Sequence, residues 1–250
     1  MSPRSISESE FQQRELELID LARSLVEKQC LTTLTIDKLV AESRYSKGTV
    51  YKHFLGKEDL LMAICNTCVK EVQEMFSKAL EFKGNSRERI TAIGVSYIIW
   101  AKLHPSQLFS VLSAHSPSVS ACCSESRNET HSEYEGQLMG LINKEIEQAI
   151  ACGDLTLPED MSLSQVTFAL WSACWGVLAL IMSKGDSVKL APMVLEREYF
   201  TNSRLLLDGI GWLPLSKDWD YPESIKKIAF DIFKPEIEIL EKMGDPFIFI

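Results

Sequence analysis

Apolar residues recur along this chain at helical spacing. Leu18, Ile19, Ala22, Leu25 and Val26 fall on one face of a helix from about residue 8 to residue 29. Thr35 is placed to cap a second, short helix that turns Ile36, Leu39 and Val40 inward. Ser46 caps a third, ending near Phe54. Gly56 breaks the chain, and Lys57-Glu58-Asp59 opens a long fourth helix towards Phe82, its acidic first turn matching the helix dipole. "KGNSRERI" (83–90) is the clearest boundary, with Gly84 as stop and Asn85 or Ser86 as the next cap. Helices are predicted near 87–103, 106–114, 128–152, 162–184 and 192–209. "GWLPLSKDWDYPES" (211–224) reads as a linker, followed by short amphipathic pieces near 223–233 and 235–243. No run alternates with the period of a strand, so the pattern predicts an all-α fold.

"VTFALWSACWGVLALIM" (166–182) carries no charge over 17 residues, against the roughly 20 that a membrane span needs. It sits among amphipathic helices. A helix apolar all round is otherwise buried on all sides, or has one side covered by a partner. A buried or dimer-interface helix is therefore expected, and no membrane partner.

The 250 residues are 46% hydrophobic, which supplies a sizeable core and excludes a disordered chain. The polar, acidic start lacks the apolar segment of a signal peptide. Seven scattered cysteines fit a reducing compartment better than a disulfide framework, so a cytoplasmic location is expected. Cys65 and Cys68 form C-x-x-C within a continuous helix, but two ligands do not close a zinc site. No His/Cys set for a metal stands out, and neither metal nor cofactor is expected.

The formal net charge of −9 argues at first against a polyanion partner. The distribution reverses this locally. Between Leu34 and Lys57 there are five cations (Lys38, Arg44, Lys47, Lys52, Lys57) against Asp37 and Glu42, a net of +3. Salt limits the reach of each charge to about 10 Å, so a basic patch on an acidic protein can still bind phosphate.

That patch coincides with a helix-turn-helix pattern: a support helix over 35–42, a turn at Ser43–Tyr45, and a second helix from Ser46. In such a unit the second helix enters the major groove with its N-terminal residues at the bases. Ser46, Thr49, Tyr51 and Lys57 have the reach for phosphate oxygens; Lys47, Thr49 and Lys52 can address base edges. Gly48 costs roughly 1 kcal/mol in a helix relative to alanine, but lets the backbone approach DNA closely.

The stretch "TIDKLVAESRYSKGTVYKHFLGKEDLLMAI" resembles the signature of the tetracycline-repressor (TetR/AcrR) family of transcriptional regulators. The likeness lies in S-K-G-T-V-Y-K-H-F at 46–54, K-E-D-L-L at 57–61 and I-D-K-L-V at 36–40, and extends from the first helix to Ile64. The resemblance implies an N-terminal three-helix DNA-binding head over 1–57, continuing into a connecting helix over 57–83. It also implies a larger helical ligand-binding and dimerisation domain over 84–250. By the same resemblance Thr35 caps the second helix at the backbone, and Ser46, Lys47, Gly48, Thr49, Tyr51, Lys52, His53 and Lys57 supply most DNA contacts. Two positions depart from the family pattern. Arg44 stands where members usually have glycine, which puts the drawing of the turn in question and adds a candidate phosphate contact. Tyr45 replaces a small aliphatic residue.

The function these readings imply is a ligand-responsive regulator, a repressor by expectation, that binds a palindromic operator as a homodimer. Its effector is a small molecule, mostly apolar or aromatic, since no arginine cluster marks an anionic one. Candidate pocket residues are Tyr97, Trp100, His104, Phe109, His115, Tyr134 and Trp175. Candidate dimer contacts are Trp171, Leu178 and Leu205, on the last two large helices. The apolar end "DPFIFI" is expected to pack on its own domain or on the partner. A helical enzyme is disfavoured by four scattered histidines without catalytic motifs. An adaptor that has lost DNA binding is disfavoured by the intact basic face.

Overall fold

Capping side chains set the helix starts. Ser7 caps α1 (Glu8–Gln29) in a reciprocal box with Glu10. Thr35 accepts from the Lys38 amide and starts α2 (Ile36–Glu42). Ser46 accepts from the Thr49 amide and starts α3 (Lys47–Val50). Then come α4 (Lys57–Ala79), α5 (Ser86–Leu103), α6 (Pro105–Ala114), α7 (Pro117–Ser120), α8 (Glu125–Ala151), α9 (Leu163–Lys184), α10 (Leu195–Gly209), α11 (Tyr221–Ile232) and α12 (Lys234–Met243). These come from a computed structural model that describes residues 7–184 and 193–249. Among the described residues there is no strand, and the fold is all-α.

The predicted elements differ in three places. The third helix is α-helical only over four residues, then tightens so that the Lys52 and His53 amides bond three residues back. The helix expected from 128 begins at Glu125, because Ser124 donates its amide and its hydroxyl, each at 3.0 Å, to one oxygen of Asp59. The segment 211–224 is no free linker. Trp212 is fully buried, with its indole N–H 3.0 Å from the Ser86 hydroxyl. The buried Arg87 guanidinium donates to the carbonyls of Trp212 and Pro214 and pairs with Asp208 at 2.7 Å.

The chain divides into two compact units, Met1–Val69 with Ser106–Tyr134, and Lys70–Pro105 with Glu135–Ile250. In the first, Leu18, Ile19, Ala22, Leu25 and Val26 form the predicted inner face of α1 and are buried. Ile36, Leu39, Val50, Phe54, Leu60 and Ile64 are buried in the same unit. The core of the second unit joins Ile98 and Ile99 of α5 to Tyr199 and Phe200 of α10, Ile228 of α11 and Leu240 of α12. Gly94 allows the α5–α10 approach, since a Cβ there would lie 2.9 Å from the Tyr199 ring.

α9 is long and apolar enough to cross a membrane by length and composition, yet only 22% of Leu163–Ile181 is buried in the chain. It is therefore not the all-round buried helix that its composition allows. Leu178 is among the α9 residues that are buried, at 0% exposure within its own chain, which removes it from the candidate dimer surface. Phe168, Leu180 and Leu205 are exposed.

The C-terminal segment packs on its own unit. Phe247 is buried, and the rings of Phe249 and Phe230 stack at 5.3 Å. Buried Lys102 pairs with buried Glu196 at 2.7 Å and donates to the Pro246 carbonyl at 2.9 Å, while the Ile248 amide donates to Glu196 at 3.0 Å. Deleting 245–250 strips these partners from a buried ion pair and exposes the Phe247 site. A melting temperature lower by about 5 °C or more is expected in a thermal melt. An unchanged melt would contradict this packing.

Candidate nucleic-acid interface

The turn between α2 and α3 is held by Ser43, whose hydroxyl donates to Val40 O and accepts from the Tyr45 amide, both at 3.2 Å. Arg44 does not take a left-handed conformation; among the described residues the only non-glycine with positive φ is Cys30. The glycine usual in the family is therefore not needed for this turn. The two departures act together. Tyr45 donates its hydroxyl to Glu17 of α1 at 2.6 Å, and Arg44 donates to the same carboxylate at 2.7 Å and to the Tyr45 hydroxyl at 3.0 Å. The Tyr45 bond, reinforced by Arg44, holds the Glu17 carboxyl below its usual range. Arg44 remains 73% exposed but spends part of its charge on α1.

Val50 and Phe54 are fully buried and anchor the recognition segment. Ser46, Lys47, Gly48, Tyr51 and Lys52 lie on its exposed side. Half-buried Thr49 places its hydroxyl 2.9 Å from that of Ser46. Nothing in the chain lies within 4 Å of a Cβ built on Gly48, so packing does not require glycine there. Lys47 pairs with Asp37 at 2.6 Å, which raises its pKa. Lys57 opens α4 with its ammonium 3.4 Å from the carbonyls of Leu31 and Thr32, in the 3-10 turn Leu31–Thr33. Thr35 is exposed, with its hydroxyl engaged as the α2 cap.

His53 corrects the sequence reading. Its side chain is 1% exposed, stacked on Phe11 at 4.0 Å with Nδ1 3.3 Å from Glu15. It therefore belongs to the frame behind the exposed face. Sequence reasoning also missed what holds that frame. Arg127 of α8 donates to Glu15 at 2.8 Å and to the His53 carbonyl at 3.3 Å, while Asp59 accepts from the Leu55 amide at 3.1 Å. Residues so far apart along the chain left no spacing signal.

The seven candidate pocket residues are divided between the two units. Tyr97, Trp100 and His104 form a ladder along α5, with ring centroids 6.4 and 5.7 Å apart, in the second unit. Trp175 lies on α9, 6.1 Å from Trp171, while Phe109, His115 and Tyr134 belong to the first unit. A cavity of about 90 Å³ in the second unit, lined by Arg87, Phe200, Leu207 and Tyr221, contains none of the seven. The expectation of no His/Cys set also needs correction. The fold gathers Cys65, His115 and His131, with one ligand atom from each within 4.8 Å of the others.

A donor-rich segment mounted on two buried anchors after a support helix and turn defines a helix-turn-helix transcription regulator head. Residues 18–64 match the family described as bacterial regulatory proteins, tetR family, so the head of the chain carries that family's domain. Solved structures with a similar fold include the following three. A protein of unknown function from Rhodococcus sp. RHA1 has 21% identity and a TM-score of 0.62, over 84% of this chain and all (100%) of that one. A TetR/AcrR-family transcriptional regulator from Thermobifida fusca YX-ER1 has 21% identity and a TM-score of 0.56, over 79% and 98%. The fatty acid degradation regulator FadR from Bacillus halodurans has 13% identity and a TM-score of 0.60, over 79% and 96%. At these identities the likeness speaks to fold alone. No curated protein matches the sequence.

Burial holds His53 below its ordinary value of 6.5, outweighing the opposite pull of Glu15; Arg14 and Arg127 act in the same direction as burial. The folded state thus keeps the ring neutral where the unfolded chain takes up a proton. Stability is full above the unfolded value and falls as pH drops through it towards the folded one. Melts from about pH 7.5 to about pH 5.5 should show a loss on acidification that is smaller in His53→Gln. Equal slopes in the two proteins would contradict the buried neutral ring.

Proposed function

We propose that this protein is a ligand-responsive repressor that binds a palindromic operator as a homodimer in the cytoplasm. The observation that carries the reading is the exposed run Ser46–Lys52, with its donors outward and Val50 inward, within a tetR-family head. Ser46, Thr49, Tyr51 and Lys57 contact phosphate, and Lys47 and Lys52 reach base edges. Lys47 must leave Asp37 to do so. Both partners of that pair are more than half exposed, and water screens such a surface pair so that it holds weakly. Arg44 can exchange Glu17 for a phosphate on the same terms.

The exposed apolar side chains Phe168 and Leu205, with half-buried Trp171, support a partner surface on α9 and α10. A second copy pairing these helices into a four-helix bundle covers it. The aromatic ladder Tyr97–Trp100–His104 supports an apolar or aromatic effector in the second unit. That effector releases DNA only if it binds the two states with different affinity.

Fluorescence anisotropy with the gene's own upstream DNA tests the assigned face. Tyr51→Ala and Lys52→Ala should each weaken binding about 10-fold, at roughly 1–3 kcal/mol per contact. Gly48→Ala should weaken binding while stabilising the fold by up to about 1 kcal/mol. Unchanged affinity in all three would show that DNA meets another surface. For the dimer, the double variant Phe168→Asp, Leu205→Glu should run at monomer mass in sedimentation. Retention of the parent mass would contradict the α9–α10 interface.

A further inference from the structure

Cys65, His115 and His131 are brought together within the first compact unit from three separate parts of the chain. Cys65 lies on α4 and is fully buried; His115 directly follows α6, His131 lies on α8, and both are half-buried. The sulfur and one nitrogen of each ring all lie within 4.8 Å of one another. The two rings are 5.4 Å apart at an interplanar angle of 78°.

The hydrogen bonds behind the rings fix which nitrogen of each ring carries the proton. His115 Nδ1 is 2.8 Å from the Val111 carbonyl, which can only accept, so Nδ1 carries the proton. His131 Nδ1 is 2.8 Å from Oδ1 of Asn66, and the Asn66 amide is oriented by donating to the Arg127 carbonyl at 3.2 Å. That ring too holds its proton on Nδ1. In both histidines Nε2 is then the basic nitrogen. A ring N–H donated to a carbonyl or amide oxygen is the usual outer support of a metal-binding histidine.

The geometry points to a metal site at Cys65, His115 and His131 for a thiophilic divalent ion, with zinc as the reference ion. One thiolate and two neutral imidazoles suit zinc and exclude magnesium and calcium, which take oxygen ligands. Three protein ligands leave a fourth position for water. Ligand atoms around tetrahedral zinc lie roughly 3.3–3.8 Å apart, so closure takes about 1 Å of side-chain movement. Binding forms the zinc–sulfur bond and releases the Cys65 thiol proton to solvent.

The outer support of this site continues to the head. Asn66 holds Arg127, and Arg127 donates to Glu15 and to the carbonyl of His53 at the end of the recognition segment. We infer that occupancy changes DNA affinity. This coupling rests on the DNA-binding reading above, whereas the site itself does not.

The full-length protein, reduced and freed of metal, is titrated with Co(II), whose thiolate charge-transfer absorption reports Cys65, and then competed with Zn(II). One equivalent per chain is expected, weakened at least about 10-fold in Cys65→Ser and in His131→Ala. His131→Ala, at a half-buried position, should melt like the parent without metal and so separates lost ligation from lost fold. No thiolate–cobalt absorption, or binding undiminished in both variants, overturns the site. Anisotropy with the upstream DNA is then compared with and without zinc. A shift of at least about 5-fold that vanishes in His131→Ala is expected. No shift at full occupancy overturns the coupling, whereas metal-free and metal-bound protein both failing to bind DNA overturns the DNA-binding reading and leaves the metal site standing.

Discussion

The recognition segment is held from behind by one guanidinium. Arg127 joins Glu15 of α1 to the carbonyl of His53 and lies over the Phe54 ring, with its Nε 4.0 Å from Asp59. Arg127 and Glu15 are mostly buried and Asp59 almost wholly so, with side chains 16%, 20% and 2% exposed. In such surroundings, breaking an ion pair at one end costs roughly 3–5 kcal/mol, a large share of a domain's stability. Asp59 adds a second constraint, fixing the end of the recognition segment through Leu55 and the start of α8 through Ser124. The exposed face needs no internal order of its own, because the buried side of the same segment supplies it.

That division explains how a chain of net charge −9 presents a cationic surface. Its carboxylates are placed where they restrain cations cheaply. Lys47 rests on Asp37 and Arg44 on Glu17, both exposed pairs that water already screens. Phosphate can take over either cation with little loss. Behind the recognition segment, Glu15 and Asp59 are turned inward and matched by Arg127. Gly48 fits the same scheme, since the chain leaves open space around it and accepts a weaker helix there.

Helix existence was legible because local chemistry decides it. Thr35, Ser46 and Asn85 cap the helices they were placed to cap. The inner face of α1 follows from its spacing alone. What stayed hidden depends on residues far apart in sequence. His53 sits in a donor-rich run and looks exposed, but Phe11 and Glu15 bury it. Leu178 belongs to an apolar helix whose sides are alike in sequence, so nothing local says which side the chain covers itself. The segment 211–224 has the composition of a linker, yet Arg87 and Ser86, more than a hundred residues earlier, pin it down. Arg44 and Tyr45 were each visible as departures, but only the fold shows that Glu17 makes them one unit.

The same rule governs the Cys65–His115–His131 cluster, where neither cysteine spacing nor histidine count gave a sign. Tertiary structure assembles it, and its outer bonds lead to Arg127. The central claim remains that a buried frame presents residues 46–52 to DNA. Hydrogen–deuterium exchange with and without the gene's upstream DNA tests it most directly. The account predicts new protection in peptides covering 35–57, strongest over 46–52, with the exchange of 86–103 unchanged. Tight DNA binding without protection over 46–52 would contradict it.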